Sequence, residues 1–480
     1  IRRDLTSSDV GLSSLSSPSG RPIPGFDPRV HPAIPFGISE GGLTPVTPAY
    51  AIEHIPKYYF KRTKRWGTMK RNDETARHSR AKEEDMALSK SMQQLVAGNS
   101  AIRKMFELGQ ELAARVGREN VYDFSLGNPA SPVPEEVRDS IVRIVTEEAP
   151  NYVHGYMANA GYPEVRAAVA EHLNRLHGTD YDAQDIIMTV GAAGGLNDVL
   201  RALLDPGDEV LTFAPFFTEY RSYASNFGGK LTIVPPDTAH FQLDIDAAEA
   251  RIGEKTKAII VNNPNNPSGA VYTEETIRKL GVMLERKEQE IGHPIYVICD
   301  EPYRELVYDG LRVPYIPNII KNAIFLYSFS KTLSLPGERI GYMAMAKRVD
   351  DHDTMIQALT IANRCLGFVN APSLLQLVVK DCLAVEANVP FYDRNRKLLY
   401  TTISGFGFEC VRPEGAFYML VKAPNGSAAD FAAAAEKLNI IIVPCDGFGL
   451  PGYVRIAYCV DYAMIERSIP AWEQLAKETL

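Results

Sequence analysis

The sequence predicts an α/β fold, with a large domain built on a mostly parallel sheet that carries helices on both faces, followed by a smaller α+β C-terminal domain. Three observations predict it. Six apolar runs alternate with helix-like segments through the middle of the chain. These runs are nearly continuous in Val, Ile, Leu and Phe, as in strands that are covered on both faces. The last hundred residues change to short strands around one helical pattern.

The bulk composition is that of an ordinary globular protein large enough for two or three domains. The chain has 480 residues, of which 45% are hydrophobic and 23% charged, with a net charge of -8. An acidic chain of this kind argues against nucleic acid as a partner. No apolar run reaches the length of a spanning helix, so we expect no membrane association. The six cysteines are scattered without a CxxC pair, which indicates reduced thiols, no metal site and a cytoplasmic protein.

Residues 1–85 differ from the rest of the chain. Nine prolines occur in the first 56 residues, and the stretch "KRTKRWGTMKRNDETARHSR" follows them. The charge of residues 1–85 is +4, which leaves -12 for residues 86–480. We expect a disordered extension without a catalytic role, because such a segment buries too little apolar surface to offset its ordering entropy. A transit peptide is the alternative, although no amphipathic helix or cleavage pattern is visible.

The regular elements begin at about residue 96. The segment "NSAIRKMFELGQELAARVG" predicts a helix, with Ile102, Met105, Phe106 and Leu112 at helical spacing and Asn99 or Ser100 as the cap. The predicted strands of the large sheet are "DIIMTV", "DEVLTF", "KLTIVP", "KAIIVN", "IYVICD" and "NAIFLYSF". The predicted elements of the smaller domain are "FECVRPEGAFYMLVKA", the helix "SAADFAAAAEKLN", and the strands "IIIVP" and "YVRIAYC".

The loops after these runs carry the candidate functional residues, because ligands of open parallel sheets bind beyond the carboxyl ends of the strands. Gly191, Ala192 and Ala193 open a helix whose N-terminus suits a phosphate, although a plain strand-to-helix turn fits equally well. One of the two phenylalanines of "APFFTEY" is placed to stack on a flat ring, or to pack in the core. Asn266 in "NNPNNPSG" offers a donor and an acceptor, or simply forms a tight turn.

The run "IYVICDEPY" ends in Asp300, and this pattern is open to two interpretations. A hydrophobic strand ending in Asp-Glu is typical of the metal-holding strand of nucleotide hydrolases, which also need a phosphate loop. The nearest match, "NFGGKL", has Leu231 in place of the hydroxyl residue and Ala224 in place of the first glycine. The second interpretation takes Asp300 together with the lysine and arginine of "YSFSKTLSLPGERIGY". Pyridoxal phosphate requires an amine, a carboxylate, an aromatic face and donors for its phosphate. This chain offers Lys331 as the amine, Asp300 as the carboxylate, an aromatic face, and a helix start with Arg339 for the phosphate.

At these residues the chain resembles the class I and II aminotransferases, which are fold type I pyridoxal-phosphate enzymes similar to aspartate aminotransferase. "SFSKTLSLPGERIGY" matches the family's S-x-[SA]-K followed by P-G-x-R-x-G. The segment Asn266 to Gly269, then Asp300 with Tyr303, and finally the Arg-Ile pattern at Arg455 occur in family order. The resemblance covers residues from about 96 to the C-terminus.

The resemblance implies a role for each matching residue. Lys331 is implied to form the internal aldimine with pyridoxal 5'-phosphate and to move the α-proton. Arg455 is implied to bind the substrate carboxylate with two hydrogen bonds, assisted by the backbone of Gly127 and by Asn266. The implied cofactor-binding residues are Gly191, Ala192, Ala193, Phe217, Asn266, Asp300, Tyr303, Ser328, Arg339 and, from a neighbouring subunit, Tyr156.

The implied organisation is a homodimer with shared active sites. The implied domain boundaries are a disordered extension over 1–85, an N-terminal arm and part of the small domain over 86–139, a large cofactor-binding domain over 140–370, and a small C-terminal domain over 371–480. The implied reaction is transamination between an L-amino acid, with an aspartate-like donor favoured, and a 2-oxo acid such as 2-oxoglutarate, in a ping-pong sequence.

One departure from the family bears on the substrate. Some prokaryotic aspartate-type members have a lysine near the phosphate loop that contacts a distal carboxylate, and this chain has Ala193 or Gly194 there. Recognition of an acidic side chain therefore needs other residues, with Arg221 and Arg364 as candidates, or the donor is not acidic. Two alternative functions stay open: a lyase or decarboxylase using the same cofactor, and a transcription regulator with an aminotransferase-like domain.

Overall fold

The computed structural model describes residues 87–97 and 101–480, without the side chains at 94, 97, 101 and 102. The strands of its largest sheet are β2 (Ile186–Thr189), β3 (Glu209–Phe213), β4 (Lys230–Val234), β5 (Thr256–Asn262), β6 (Tyr296–Asp300), β7 (Ala323–Ser328) and β8 (Gly341–Met345). They lie side by side in the order β2-β8-β7-β6-β5-β3-β4. All neighbouring pairs are parallel except those that involve β8.

Six of these seven strands coincide with the runs predicted from the sequence, and the mostly parallel α/β architecture is confirmed. The sequence prediction missed β8, which pairs in antiparallel fashion between β2 and β7. Its segment "GYMAM" is short and directly follows the "LPGER" turn, so its pattern alone does not separate it from a loop. The partner strands on both sides decide its conformation.

Burial of both faces of the sheet explains why its strands are continuous apolar runs in the sequence. In β5, Ile259 and Val261 belong to one hydrophobic cluster, whereas Ala258 and Ile260 belong to another. Successive side chains of a strand point to opposite faces, so both faces of the sheet are covered. Burial of each such Val or Ile side chain contributes about 1.5–3 kcal/mol, which excludes charged residues from these strands except at their ends.

The helices of the described residues mostly follow strands and cover the sheets. Their bounds are α1 (Lys90–Ala97), α2 (Ala101–Val116), α3 (Glu135–Glu147), α4 (Pro150–His154), α5 (Pro163–His177), α6 (Gly191–Leu203), α7 (Tyr220–Ser225), α8 (Ile245–Glu249), α9 (Glu274–Ile291), α10 (Ile316–Ile319), α11 (Phe329–Thr332), α12 (His352–Cys365), α13 (Ser373–Cys382), α14 (Val389–Gly405), α15 (Ala428–Lys437) and α16 (Tyr462–Thr479). In the described part of the chain, no helix has the length and apolar character to cross a bilayer.

Short strands near the C-terminus form a separate antiparallel sheet in the order β12-β13-β10-β9. A two-stranded parallel pair joins β1 to β11. The bounds are β1 (Tyr122–Asp123), β9 (Cys410–Val411), β10 (Tyr418–Lys422), β11 (Ile440–Ile441), β12 (Val443–Pro444) and β13 (Tyr453–Ala457). This strand-rich C-terminal sheet confirms the second part of the predicted fold class.

The α2 helix coincides with the first predicted helix. Its Leu112 is buried and Met105 packs beside it, as the helical spacing predicts. Phe106 differs from that prediction, because its side chain lines a cavity rather than the core. The predicted caps Asn99 and Ser100, like the predicted disorder of residues 1–85, lie outside the described residues. The predicted domain boundaries stay predictions.

Candidate active site

The carboxyl ends of β5, β6 and β7 form one edge of the large sheet and bring the candidate residues together. Asn262 ends β5, Asp300 ends β6 and Ser328 ends β7. Asn262 and Asp300 are neighbours across the ladder, and the amide of Asn262 donates to the Asp300 carbonyl at 2.7 Å. A cavity of about 620 Å³ opens at this edge, between the large sheet and residues of the C-terminal sheet.

Lys331 lies on the short helix α11, which begins where β7 ends. Its Nζ donates a hydrogen bond of 2.8 Å to the carbonyl of Gly127. The amine lies 5.0 Å from the ring centre of Phe417 and 5.8 Å from that of Tyr303. Burial lowers the pKa of Lys331 to about 8, and the positive charges of Arg339 and Arg455 act in the same direction, against the thiol of Cys459.

The helix α11 is held by hydrogen bonds to a carboxylate outside it. The hydroxyl of Thr332 donates to the Glu305 carboxylate at 3.2 Å, and that of Tyr327 donates to the same oxygen at 2.9 Å. Glu305 lies two residues after Tyr303 in the loop that follows β6, so one carboxyl group connects this loop to the helix that carries Lys331. Two hydroxyl groups that donate to one carboxyl oxygen fix the position of α11.

A glycine is needed at position 127 because neighbouring side chains lie too close for a Cβ, and not because of its backbone angles. A Cβ at this position would overlap the hydroxyl of Tyr418, and would lie 3.2 Å from the Phe417 ring. The absence of a side chain lets the backbone carbonyl reach the amine of Lys331. The predicted contact of the Gly127 backbone with the substrate carboxylate stays a prediction.

Asp300 is a buried carboxylate at the base of the cavity. The hydroxyl of Tyr220, itself fully buried, donates to its Oδ2. Burial raises the pKa of Asp300 to about 6, and the hydrogen bond from Tyr220 opposes this rise. A cationic N–H in the cavity would stabilise the charged carboxylate, which is what a pyridinium nitrogen offers.

Ser328, Ser330 and Arg339 form an anion-binding corner at the first turn of α6. The guanidinium of Arg339 donates to Ser330 Oγ at 3.4 Å, and the hydroxyls of Ser328 and Ser330 lie 2.8 Å apart. Gly191 has a φ of +66°, and a Cβ there would come 2.9 Å from Arg339 Nη2. Backbone N–H groups, a helix N-terminus, two hydroxyls and a guanidinium together suit a phosphate.

Arg455 on β13 is a buried guanidinium that faces the cavity and is 1% exposed. Its Nη2 donates to the Ser125 carbonyl at 2.7 Å, and its Nη1 donates to Asn266 Oδ1 at 3.1 Å. Among the described residues no carboxylate forms an ion pair with it, and its Nε has no partner. A buried guanidinium of this kind is stabilised by a bound carboxylate.

The remaining predicted neighbours of the cofactor ring also line the cavity. Phe217 faces it, whereas Phe216 is 1% exposed and packs in the core, which resolves the choice between the two phenylalanines. The Tyr303 hydroxyl lies 3.1 Å from that of Tyr418.

Most of the residues predicted from the sequence converge on this one cavity. Those that line it are Gly127, Ala192, Ala193, Phe217, Asn266, Asp300, Tyr303, Ser328, Lys331, Arg339 and Arg455. Gly191 lies beside Arg339. Tyr156 does not line the cavity of its own chain and is 94% exposed. Its predicted contact with a neighbouring subunit stays a prediction.

The two arginines considered for an acidic side chain are not among the residues that line the cavity. Arg221 lies over the ring of Phe216 at 4.9 Å, and Arg364 is exposed on α12. Sequence reasoning missed several residues that do line it or support it. These are Arg103, Phe106, Glu107, Glu219, Tyr220, Tyr223, Ser330 and Tyr418.

A sequence signal existed for some of these missed residues. Ser330 belongs to the same "YSFSK" motif as Ser328, and Tyr418 follows the "EGAF" turn next to a predicted strand. No local signal marks Arg103, Phe106 and Glu107, because only the packing of α2 turns them toward the cavity.

The donor set fits pyridoxal phosphate, the cofactor implied by the motifs. Asp300 has a single hydroxyl donor and would accept a hydrogen bond from the ring nitrogen. The corner at Ser328, Ser330 and Arg339 would hold the phosphate, and Lys331 supplies an amine of lowered pKa. The residues present therefore match the ring nitrogen, the phosphate and the aldehyde of the cofactor.

Comparison with known families gives a match over most of the chain. Residues 119–471 match the sequence model of the family described as aminotransferase class I and II. Among curated proteins, the chain is 29% identical over 403 residues to aromatic-amino-acid aminotransferase 2 of Thermococcus litoralis, covering 82% of this chain and 99% of that protein. It is 29% identical over 395 residues to aspartate aminotransferase of Pyrococcus horikoshii, covering 80% and 95% of the two chains.

Comparison with solved structures agrees with the family match. A crystal structure of an aminotransferase from Eubacterium rectale superimposes with a TM-score of 0.80 at 48% sequence identity, covering 82% of this chain and 99% of that one. The aspartate aminotransferase of Thermus thermophilus with maleate superimposes with a TM-score of 0.72 at 25% identity, covering 81% and 100%. The shared fold extends over nearly all of both relatives.

Proposed function

The chain belongs to the class I and II aminotransferases, which are pyridoxal-phosphate-dependent enzymes, and from this premise we propose that it transfers the amino group of an aspartate-like L-amino acid to a 2-oxo acid such as 2-oxoglutarate. Amino-acid transamination is the activity that its relatives' names share. The choice of an aspartate-like donor and of 2-oxoglutarate as acceptor is part of our proposal.

One observation carries the proposal: the buried guanidinium of Arg455 faces the same cavity as Lys331 and has no carboxylate partner among the described residues. A carboxylate shared by amino acids and oxo acids would supply that partner. Because both substrates carry this α-carboxylate, one guanidinium serves both half-reactions in turn. This supports a ping-pong sequence, in which the oxo acid product leaves before the second substrate binds.

Lys331 is proposed as the group that holds the cofactor and moves the proton. An amine with a pKa of about 8 is neutral in about one molecule in ten at pH 7, about 300 times more often than a lysine with an ordinary pKa. Only the neutral amine attacks a carbonyl or accepts a proton. The hydrogen bond to the Gly127 carbonyl orients the free amine of Lys331.

Bound pyridoxal phosphate supplies an aldehyde that links covalently to amines, and a ring that withdraws electrons when a bond to the α-carbon breaks. The protein's part is to orient and to exclude water. Asp300 stabilises positive charge at the base of the cavity, and Phe217 and Tyr303 exclude water from its walls. Arg455 fixes the α-carboxylate, so the α-carbon of the substrate lies within reach of Lys331.

We also propose a homodimer in the cytoplasm. The exposed Tyr156 supports shared active sites, since its hydroxyl has no function in the cavity of its own chain. The six cysteines are free thiols, which supports a reducing compartment.

The direct test is Lys331→Ala, with Lys422→Ala as the control. Lys422 is an exposed lysine paired with Glu409 and lies away from the cavity. Borohydride treatment followed by peptide mapping should place a pyridoxyl group on Lys331 of the native protein and of Lys422→Ala. Transamination with a panel of amino acids and 2-oxoglutarate should fall by at least about 10³-fold in Lys331→Ala and stay unchanged in the control.

A pyridoxyl group on another lysine would contradict the proposed role of Lys331. Release of ammonia or carbon dioxide from the donor, without an aminated acceptor, would show a lyase or decarboxylase on this scaffold instead of a transaminase.

A further inference from the structure

The cavity contains one cation that the proposed function does not use. Four basic side chains line it among the described residues: Arg103, Lys331, Arg339 and Arg455. Lys331 is the proposed nucleophile, Arg339 lies at the anion-binding corner, and Arg455 binds the α-carboxylate. Arg103 therefore remains available for a further anionic group of the substrate.

The packing of α2 turns Arg103 toward the cavity. Met105, Leu108 and Leu112 pack into the cluster that includes Val121 and Ile441. Arg103, Phe106 and Glu107 line the cavity from the same helix. Positions separated by three and four residues share one face of a helix, so these three side chains form a single surface.

Gly109 allows this helix to lie close to the body of the protein. A Cβ at Gly109 would come 3.0 Å from the carboxylate of Asp123, which ends β1. The surface of Arg103, Phe106 and Glu107 is therefore placed by a packed helix rather than by a loop.

The guanidinium of Arg103 is free to change partners. Its Nε lies 3.2 Å from Glu107 Oε1, and the two side chains are 73% and 54% exposed. Ion pairs between exposed side chains four residues apart contribute little to stability, because water competes for both charges. A substrate carboxylate that enters the cavity can replace Glu107 as the partner of Arg103 without leaving a buried charge unpaired.

We propose that Arg103 binds the distal carboxylate of a dicarboxylic substrate, and that Glu107 is the group it releases. This inference rests on the proposed transaminase function and assigns the residue that recognises the second carboxylate of its amino acid and 2-oxo acid substrates. The two arginines suggested by the sequence are excluded by position, because neither Arg221 nor Arg364 lines the cavity.

The competing assignment is a cationic substrate side chain held by Glu219. This carboxylate also lines the cavity, close to Tyr223. It is disfavoured because Arg103 lines the same cavity and would repel a substrate cation. The two assignments predict opposite ligand preferences.

Binding of unreactive acids to the cofactor-loaded enzyme tests the proposal without turnover. Succinate and butyrate have the same number of carbons and differ in the second carboxylate. Calorimetry should show that succinate binds the native enzyme more tightly. Arg103→Ala should raise the Kd of succinate at least about tenfold, the effect of losing a charge-assisted hydrogen bond, and change the Kd of butyrate less than about twofold.

Two further variants complete the experiment. Arg115→Ala removes an exposed arginine from the last turn of the same helix and should leave both Kd values unchanged. Glu107→Gln removes the competing carboxylate and should tighten succinate binding by a few-fold. Since Arg103, Glu107 and Arg115 are all exposed, none of these substitutions threatens the fold.

The outcomes separate this inference from the proposed function. Equal loss of succinate and butyrate in Arg103→Ala, or no loss of either, would overturn the role of Arg103. Faster turnover of lysine or ornithine than of glutamate would overturn it in favour of Glu219. In both cases transamination by the native enzyme and the pyridoxyl group on Lys331 would still uphold a transaminase that uses Lys331, and a preference for lysine or ornithine would overturn only the aspartate-like donor.

Discussion

At the scale of single residues, the environment of Lys331 explains how a common side chain becomes reactive. The strand β7 that precedes it is entirely buried, and its amine lies beside two aromatic rings and near two guanidinium groups. Burial and like charge both disfavour the ammonium form. The same environment that makes a lysine costly to bury supplies the neutral amine that the chemistry needs.

The titration of Lys331 is therefore predicted to be abnormal. In protein freed of cofactor, acetylation of Lys331 followed by peptide mass spectrometry should rise tenfold per pH unit below about pH 8 and level off above it, because only the neutral amine reacts. Lys422 is the internal control, since its partner Glu409 raises its pKa above the ordinary 10.5. A reaction rate at Lys331 that still rises tenfold per unit between pH 9 and pH 10 would contradict the lowered pKa.

At the scale of elements, the first turn of α6 forms the anion-binding corner together with the turn that carries Arg339. Gly191 has a positive φ, and its missing side chain lets Arg339 approach the helix N-terminus. Gly178, at the end of α5, has almost the same φ of +65° but no atom within 4 Å of the position of a Cβ. A substitution at Gly178 therefore tests the effect of backbone strain alone, whereas a substitution at Gly191 adds the effect of close approach to Arg339.

We predict that Gly191→Ala weakens pyridoxal phosphate binding at least about tenfold, because the added methyl group displaces Arg339 from the phosphate. Gly178→Ala should cost about 1 kcal/mol of unfolding free energy, as Gly191→Ala also should, but leave cofactor affinity unchanged. Fluorescence titration of the cofactor-free proteins gives the affinities, and urea unfolding gives the stabilities. Equal cofactor affinity in the two variants would show that Arg339 does not depend on this close approach.

At the scale of the whole molecule, exposed apolar residues support the proposed dimer. Met92, Leu95 and Val96 on α1 are exposed, as is Tyr156, and none lines the cavity of its own chain. Exposed apolar side chains grouped on one short helix indicate an interaction surface. A second copy of the chain is the partner that the family implies.

Subunit mixing tests whether Tyr156 acts in the neighbouring site. Lys331→Ala and Tyr156→Ala subunits should each be inactive when cofactor is limiting. The mixture of the two variants should regain about a quarter of native activity, because half of its dimers are mixed and each mixed dimer has one intact site of two. Mixing Lys331→Ala subunits with subunits that carry both Lys331→Ala and Tyr156→Ala should restore no activity. No gain in the first mixture would show that Tyr156 does not complete a partner's site.

The sequence by itself determined the fold class and the chemistry at the strand ends. Continuous apolar runs require a sheet covered on both faces, and the residues that follow them, such as Asp300 and Lys331, must then meet at one edge. Local patterns encode this much because a strand buried on both faces needs apolar side chains along its length, so polar and charged residues are confined to its ends.

Tertiary structure alone decided what no local pattern encodes. It placed β8 between two strands and turned Arg103 toward the cavity. It also left Arg221 and Arg364 outside that cavity. Each of these outcomes depends on contacts between residues far apart in the chain, and the orientation of a side chain toward a shared cavity is a property of those contacts.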